Sequence, residues 1–234
     1  MTHMVASTVP AQATHGWRRW FPNALTGLRL LIAIAFFTLL AVWNYPAREL
    51  VVSPRHPLIA YLVAAALFGL AAVTDAIDGP LARRWKVVSA FGRIMDPFAD
   101  KVLVVGGFIM LAGPTFGTPI ADGEGGLEML HVSGVHTWMV VVILGRELLV
   151  TSIRAVAESQ GHDFSATWSG KAKMILQACV IPLILIVLGF TRITPGTWGR
   201  WVIDIAVWLT VGVTILSGVP YLHRAIKLFG RPKP

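Results

Sequence analysis

The chain has 234 residues, of which 55% are hydrophobic and only 14% carry a charge. A soluble globular domain carries roughly 25% charged residues, so this composition excludes an ordinary soluble fold and indicates a polytopic membrane protein. The net charge is +8, but the basic residues stand in short segments between apolar runs. That placement favours lipid headgroups and phosphorylated substrates as partners and argues against nucleic acid.

The predicted elements begin after residues 1–16, which are polar and small and which we expect to form a disordered N-terminus, not a cleaved signal peptide. The aromatic and basic segment Trp17–Phe21 predicts a short interfacial helix. Six apolar segments follow, each with about the 20 residues that a membrane-spanning helix needs. They are residues 23–43, 58–78, 92–113, 136–157, 171–191 and 200–222. The predicted fold is all-α, with six transmembrane helices in a single domain over residues 17–228.

The Lys and Arg residues predict the orientation of these spans. Most of them lie near the N-terminus, in the connections after spans 2 and 4, and near the C-terminus. The opposite connections hold only Arg48, Arg55, Arg192 and Arg200. Because basic connections stay in the cytoplasm, both termini are expected there. The connection over residues 114–135, which has no Lys or Arg, is then an outer connection.

Four aspartates fall close together in the second and third spans. Asp75 and Asp78 are three residues apart, and Asp96 and Asp100 are four apart, so each pair shares a helix face. The two spans are antiparallel neighbours, which brings the four carboxylates together at the cytoplasmic edge of the bilayer. Such anions repel one another, and hard divalent cations are their usual partners. We expect two Mg²⁺ or Mn²⁺ ions, because the alternative of solvated acids does not suit a helix that becomes apolar from Val102 onward.

Residues 75–100 read DAIDGPLARRWKVVSAFGRIMDPFAD and match the pattern D-x2-D-G-x2-A-R-x8-G-x3-D-x3-D at every fixed position. This pattern resembles the signature of the CDP-alcohol phosphatidyltransferase family. The resemblance implies that Asp75, Asp78, Asp96 and Asp100 bind metal and that Asp100 is also the general base. It further implies contacts to the CDP part of a lipid donor from Gly79, Arg83, Ser89 and Gly92. Taken alone, the glycines also suit helix packing, and Arg83 also suits a lipid headgroup.

Two further stretches resemble the members of this family that synthesise phosphatidylglycerophosphate. The first is Pro22-Asn23-Ala24-Leu25-Thr26 with Arg29, which makes Asn23 and Thr26 candidates to contact CDP-diacylglycerol. Asn23 is equally suited to cap a helix. The second combines Gly145-Arg146-Glu147-Leu148, Arg154, Gly170-Lys171-Ala172-Lys173 and Gln177.

Four basic residues form a candidate binding site for an anionic acceptor. Arg146 lies inside the fourth span, where a cation is costly unless it faces a polar cavity or a partner. Arg154 follows on roughly the same face, and Lys171 and Lys173 begin the fifth span. These residues are expected to hold the phosphate of glycerol 3-phosphate. A buried ion pair explains Arg146 equally well at this point, and membrane anchoring explains the two lysines.

The resemblance therefore implies transfer of a phosphatidyl group from CDP-diacylglycerol to sn-glycerol 3-phosphate, with release of CMP. Alternative acceptors are inositol phosphate, serine and phosphatidylglycerol. A rival of another class is a cation transporter, which is disfavoured because the acids cluster at one membrane face. The resemblance also implies a homodimer in a bacterial cytoplasmic membrane. Outside the site, Arg200 and Asp204 are spaced to form an ion pair, whereas His131 and His136 are not expected to bind metal.

Overall fold

The structure is a computed structural model that describes residues 16–42, 58–85, 90–121, 126–161 and 168–229. Each predicted span corresponds to one long helix in these ranges, which confirms the all-α membrane fold as the main architecture. The helices are α1 (Gly16–Val42), α2 (Leu58–Trp85), α3 (Ala90–Leu111), α4 (Thr137–Ser159), α5 (Trp168–Phe190) and α6 (Trp198–Phe229). The N-terminal segment that we expect to be disordered lies outside the described residues, except for Gly16, which already belongs to α1.

The first helix begins earlier than expected. Trp17–Phe21 do not form a separate interfacial helix but are the first turns of the continuous helix α1. Pro22 does not end this helix, because its missing N–H would have bonded only the carbonyl of Arg18, and one lost bond is tolerated. With 27 residues, α1 is about 40 Å long and exceeds the hydrocarbon thickness of a bilayer.

Within the described residues, four of the helices are apolar and long enough to cross a membrane. They are α1, α2, α5 and α6, with apolar segments at Ala24–Val42, Leu58–Asp75, Trp168–Phe190 and Trp198–Lys227. Large apolar side chains such as Leu31, Ile59 and Ile205 are exposed on their outer faces, as expected of a multi-pass membrane protein. Helices α3 and α4 are not in this group because they carry more ionisable residues, including Asp100 and Arg146.

The helices pack around an apolar core. Helix α2 contacts mainly α1 and α5, whereas α6 contacts α5 and α4. Phe36, Phe68 and Ile181 are fully buried between these helices. A Cβ atom on Gly107 of α3 would come within 2.9 Å of Ile181, so the absence of a side chain allows α5 to approach α3 closely.

The connection over residues 114–135 contains a β-hairpin that was not predicted from the sequence. After a short 3₁₀ turn at Pro114–Phe116, strand β1 (Gly117–Ala121) pairs antiparallel with β2 (Leu127–His131). The sequence between the strands contains Asp122-Gly123, a dipeptide that favours hairpin turns. The prediction of six helices was therefore incomplete at this edge of the molecule.

Hydrogen bonds attach the hairpin to the helices. Ser133 Oγ donates to the carbonyl of Leu111 at 2.6 Å, and Arg200 Nη1 donates to the carbonyl of His131 at 2.6 Å. Arg200 Nε also donates to Asp204 Oδ2 at 2.7 Å, which confirms the predicted ion pair. The hairpin thus closes the end of the molecule opposite to the start of α5, where the candidate site lies.

Candidate active site

The four aspartates lie on α2 and α3, as the sequence predicts. Helix α2 continues to Trp85, so Asp75 and Asp78 lie within the helix and not at its end. The structure describes the side chains of Asp75 and Asp100, which are both partly buried. For seven other predicted site residues, the side chains or the whole residues lie outside the described part. They are Asn23, Asp78, Gly79, Arg83, Ser89, Gly92 and Asp96.

Asp75 forms an ion pair that the sequence analysis missed. Arg29 Nη1 of α1 lies 2.6 Å from Asp75 Oδ1, and the Arg29 side chain is 1% exposed. A buried arginine is stable only beside a partner that offsets its charge. The signal was present in the sequence, because Arg29 lies in the middle of an apolar span. Thr26, one turn earlier in α1, is also buried.

A pocket of about 580 Å³ lies between α3, α4, α5 and α6. Its wall contains Asp100 together with all four of the basic residues predicted to bind the acceptor: Arg146, Arg154, Lys171 and Lys173. The structure therefore brings the predicted general base and the predicted anion-binding residues into one cavity. This volume falls in the usual range for small-molecule sites.

Glu147 connects two of these cations. Its Oε1 atom accepts a hydrogen bond from Arg146 Nη1 at 3.1 Å and another from Lys173 Nζ. Arg146 Nη2 is 3.4 Å from the carbonyl of Ser217 in α6. Arg146 therefore belongs to a buried ion pair and also lines the pocket, and its binding of an acceptor phosphate stays a prediction. Lys173 is 5% exposed, and Glu147 offsets the cost of burying it.

Two further contacts organise the pocket wall. Lys101 Nζ donates to Thr151 Oγ1 at 2.5 Å, and that hydroxyl donates to the carbonyl of Glu147 at 2.7 Å. The bond from Lys101, the residue that follows Asp100, connects α3 to α4. Outside the lining of this pocket, Gln177 Nε2 of α5 donates to Thr214 Oγ1 of α6 at 3.0 Å. Lys101, Thr151 and Thr214 were not identified from the sequence, because their partners lie in other helices.

Tyr221 of α6 is the aromatic residue of the pocket wall. Its ring is almost fully buried, and its centroid lies 5.7 Å from Arg146 Cζ and 5.9 Å from Arg154 Cζ. Both distances are within the range of cation–π attraction. Tyr221 could not be identified from the sequence, because it lies in α6, far along the chain from the two arginines.

The charge of the pocket favours an anion. Among the residues that line it in the described part of the chain, five are basic and three are acidic. The excess of two positive charges equals the charge of a phosphate monoester dianion. A neutral ligand would leave this excess uncompensated, and like charges that converge without a counter-ion destabilise each other. The pocket is therefore suited to a small phosphorylated molecule.

The donor set also bears on the expected metal ions. Carboxylate oxygens are ligands that Mg²⁺ and Mn²⁺ prefer, and one oxygen of the partly exposed Asp75 is already paired with Arg29. The described residues contain no group of three or more side chains suited to hold a metal. Asp78 and Asp96 are not counted among these residues, because their side chains are not described. The chemistry of the residues fits divalent metal, and metal binding stays a prediction.

Comparison with known proteins gives consistent matches over most of the chain. The model of the CDP-alcohol phosphatidyltransferase family matches residues 19–216. A CDP-diacylglycerol–glycerol-3-phosphate 3-phosphatidyltransferase of Bacillus subtilis (strain 168) is 31% identical over 206 residues, covering 87% of this chain and 93% of that protein. A protein of the same name from Rickettsia bellii (strain RML369-C) is 30% identical over 171 residues, covering 73% of this chain and 83% of that protein. Another, from Cereibacter sphaeroides, is 24% identical over 239 residues, covering 88% and 95% respectively.

Proposed function

Because the chain belongs to the CDP-alcohol phosphatidyltransferase family, we propose that it transfers the phosphatidyl group of CDP-diacylglycerol to sn-glycerol 3-phosphate. The products are phosphatidylglycerophosphate and CMP. The relatives described above are named for this reaction. The single structural observation that supports the acceptor is the basic pocket, which contains Asp100 and an excess of positive charge.

In this proposal Asp100 is the general base. It takes the proton of the C1 hydroxyl of glycerol 3-phosphate, and the resulting alkoxide attacks the phosphorus that carries diacylglycerol. A new oxygen–phosphorus bond forms, and the bond between that phosphorus and the CMP oxygen breaks. Arg146, Arg154, Lys171 and Lys173 hold the acceptor phosphate. These cations keep the hydroxyl within reach of Asp100 and exclude acceptors without a negative charge.

The donor is assigned to the opposite side of Asp100, next to α1, α2 and the start of α3. Asp75, Asp78, Asp96 and Asp100 would hold divalent metal there, and the metal would supply charge stabilisation for the pyrophosphate. Arg29 holds the Asp75 carboxylate in place through its Oδ1 atom. Asn23, Thr26, Gly79, Arg83, Ser89 and Gly92 are the proposed contacts of the CDP group.

We place the enzyme in the bacterial cytoplasmic membrane as a homodimer, with six spans and with both termini and the site on the cytoplasmic side. The distribution of Lys and Arg supports this orientation. The nucleotide and the glycerol phosphate are water-soluble, so the site must open toward the compartment that contains them.

The test is CMP release by the purified protein from CDP-diacylglycerol with a panel of alcohols. We expect release with glycerol 3-phosphate and little with serine, inositol phosphate or phosphatidylglycerol. A chelator should abolish it, and Mg²⁺ or Mn²⁺ should restore it. Faster release with another alcohol would overturn the acceptor assignment. Ion flux through liposomes without any CMP release would favour a transporter instead.

Matched arginine variants connect this assay to the pocket. Arg154→Ala removes a cation from the pocket wall, whereas Arg192→Ala removes an exposed arginine from the connection before α6. We expect the first to raise the KM for glycerol 3-phosphate about tenfold or more and the second to leave it unchanged. Equal effects of the two substitutions would contradict the proposed role of the pocket.

A further inference from the structure

The ring of Tyr221 lies beside two arginines from separate turns of one helix. Arg146 and Arg154 are eight residues apart in α4, so their backbones are about 12 Å apart along the helix axis. Their guanidinium groups nevertheless lie at similar distances, 5.7 Å and 5.9 Å, from the centre of the same ring. Tyr221 is 2% exposed, so the surrounding helices hold the ring in place.

The chemical nature of the group that holds the two arginines determines how much positive charge remains for a phosphate ligand. The two guanidinium groups line the same pocket and repel each other. An attractive partner must therefore hold them at the pocket wall. A carboxylate can do so, as Glu147 does for Arg146 and Lys173, but it cancels positive charge that an anionic ligand needs. The face of an aromatic ring attracts both cations through its quadrupole and adds no charge.

We propose that Tyr221 is a positioning residue for the acceptor: its ring holds the guanidinium groups of Arg146 and Arg154 at the wall of the pocket that they both line, where they bind the acceptor. This inference rests on the proposed function, and it assigns a role to a residue outside every stretch that resembles the family. Tyr221 does not take part in proton transfer. It acts through the two arginines, and its loss should weaken acceptor binding without changing donor binding.

The hydroxyl group of Tyr221 is not needed for this role, because the attraction comes from the ring. Tyr221→Phe keeps the ring, whereas Tyr221→Leu keeps an apolar side chain and removes it. Tyr61 of α2 offers a matched control, since it is 1% exposed and packs against Phe116 near the hairpin, away from the pocket. Tyr61→Leu therefore removes an equally buried tyrosine that lines no part of the site.

The experiment measures kcat and the KM values for glycerol 3-phosphate and CDP-diacylglycerol in all three variants. We expect Tyr221→Leu to raise the KM for glycerol 3-phosphate about tenfold and the KM for CDP-diacylglycerol less than about twofold. Tyr221→Phe should resemble the parent enzyme. Tyr61→Leu should change the two KM values equally or not at all. Inorganic phosphate, used as a competitor of the acceptor, should lose affinity only in Tyr221→Leu.

A double-mutant cycle with Arg154→Gln checks that the ring acts through the arginines. In that background, Tyr221→Leu should raise the acceptor KM clearly less than it does alone. If Tyr221→Leu does not fold, Tyr221→Met supplies a flexible apolar side chain of similar length for the same comparison.

Several outcomes overturn the proposal. They are a Tyr221→Phe variant as impaired as Tyr221→Leu, a loss in kcat alone, equal increases in both KM values, or full additivity in the cycle. If the parent enzyme prefers another phosphorylated alcohol, the proposed acceptor is wrong, and the same ratios measured with that alcohol still test Tyr221. If the parent enzyme accepts no anionic alcohol, the proposed function and this inference both fail.

Discussion

Two arginines at opposite ends of the molecule differ in how many of their side-chain donors have hydrogen-bond partners. Arg200, at the end of the molecule that carries the hairpin, donates to Asp204 through Nε and to the carbonyl of His131 through Nη1. Arg146, in the pocket, shares Glu147 with Lys173. Its buried Nε atom has no hydrogen-bond partner among the described residues. Arg200 therefore completes a structural contact. Arg146 retains an unused hydrogen-bond donor beside other cations, which is typical of a ligand-binding group.

Substitution of the aspartate at each end, Asp100 or Asp204, should give the largest difference in kcat between the two ends. Asp100→Asn removes the proposed base, and we expect kcat to fall by roughly 10³-fold while the protein still folds. Asp204→Asn, at the end that carries the hairpin, should lower the thermal unfolding midpoint and leave kcat nearly unchanged. CMP release and thermal unfolding in detergent measure both effects. Near-normal turnover by purified Asp100→Asn would contradict the base assignment.

The arginines themselves give the next test. Arg146→Ala should raise the KM for glycerol 3-phosphate by about tenfold to a hundredfold, because a charged hydrogen bond contributes about 1.5–3 kcal/mol. The KM for CDP-diacylglycerol should change much less. Arg200→Ala should reduce stability and leave both KM values unaltered. If the two substitutions had the same kinetic effect, the distinction between a satisfied and an available arginine would be lost.

Arg29 tests whether an arginine on the donor side also behaves as a structural residue. Arg29→Met leaves the Asp75 carboxylate without its buried partner, so we expect the free energy of unfolding to fall by roughly 3 kcal/mol. Arg29→Lys should lose less, since it keeps the charge. The measurement is thermal unfolding with and without Mg²⁺. An unchanged midpoint in Arg29→Met would show that the ion pair does not stabilise the fold.

The smallest effect is expected at the bond between α3 and α4. Thr151→Val removes the acceptor for Lys101, and the loss of one such bond costs about 1 kcal/mol. We expect a decrease in kcat of a fewfold, because Lys101 adjoins Asp100. Thr38→Val is the control, since Thr38 bonds only within α1, to the carbonyl of Ile34. A Thr151→Val variant that matches this control would assign no functional role to the bond.

Much of the site was predictable because its signals are local. The spacing of Asp75, Asp78, Asp96 and Asp100 and the depth of Arg146 in an apolar run are visible in short windows of sequence. The pair of Arg200 and Asp204 follows from helix periodicity alone. The hairpin has a recognisable turn sequence, Asp122-Gly123, but it was not predicted because the surrounding chain is helical.

Hydrophobic runs determined the six helices, and the spacing of acids and bases determined which helices carry the chemistry. The choice of partners was different: Arg29 with Asp75, Glu147 with Lys173, and Tyr221 with two arginines. Each of these contacts joins residues of different helices, and no local pattern encodes which face of one helix meets which face of another. Those choices depend on how side-chain volumes and glycines such as Gly107 fit together in the packed bundle, since packing sets the helix rotations that bring particular charges within reach of each other.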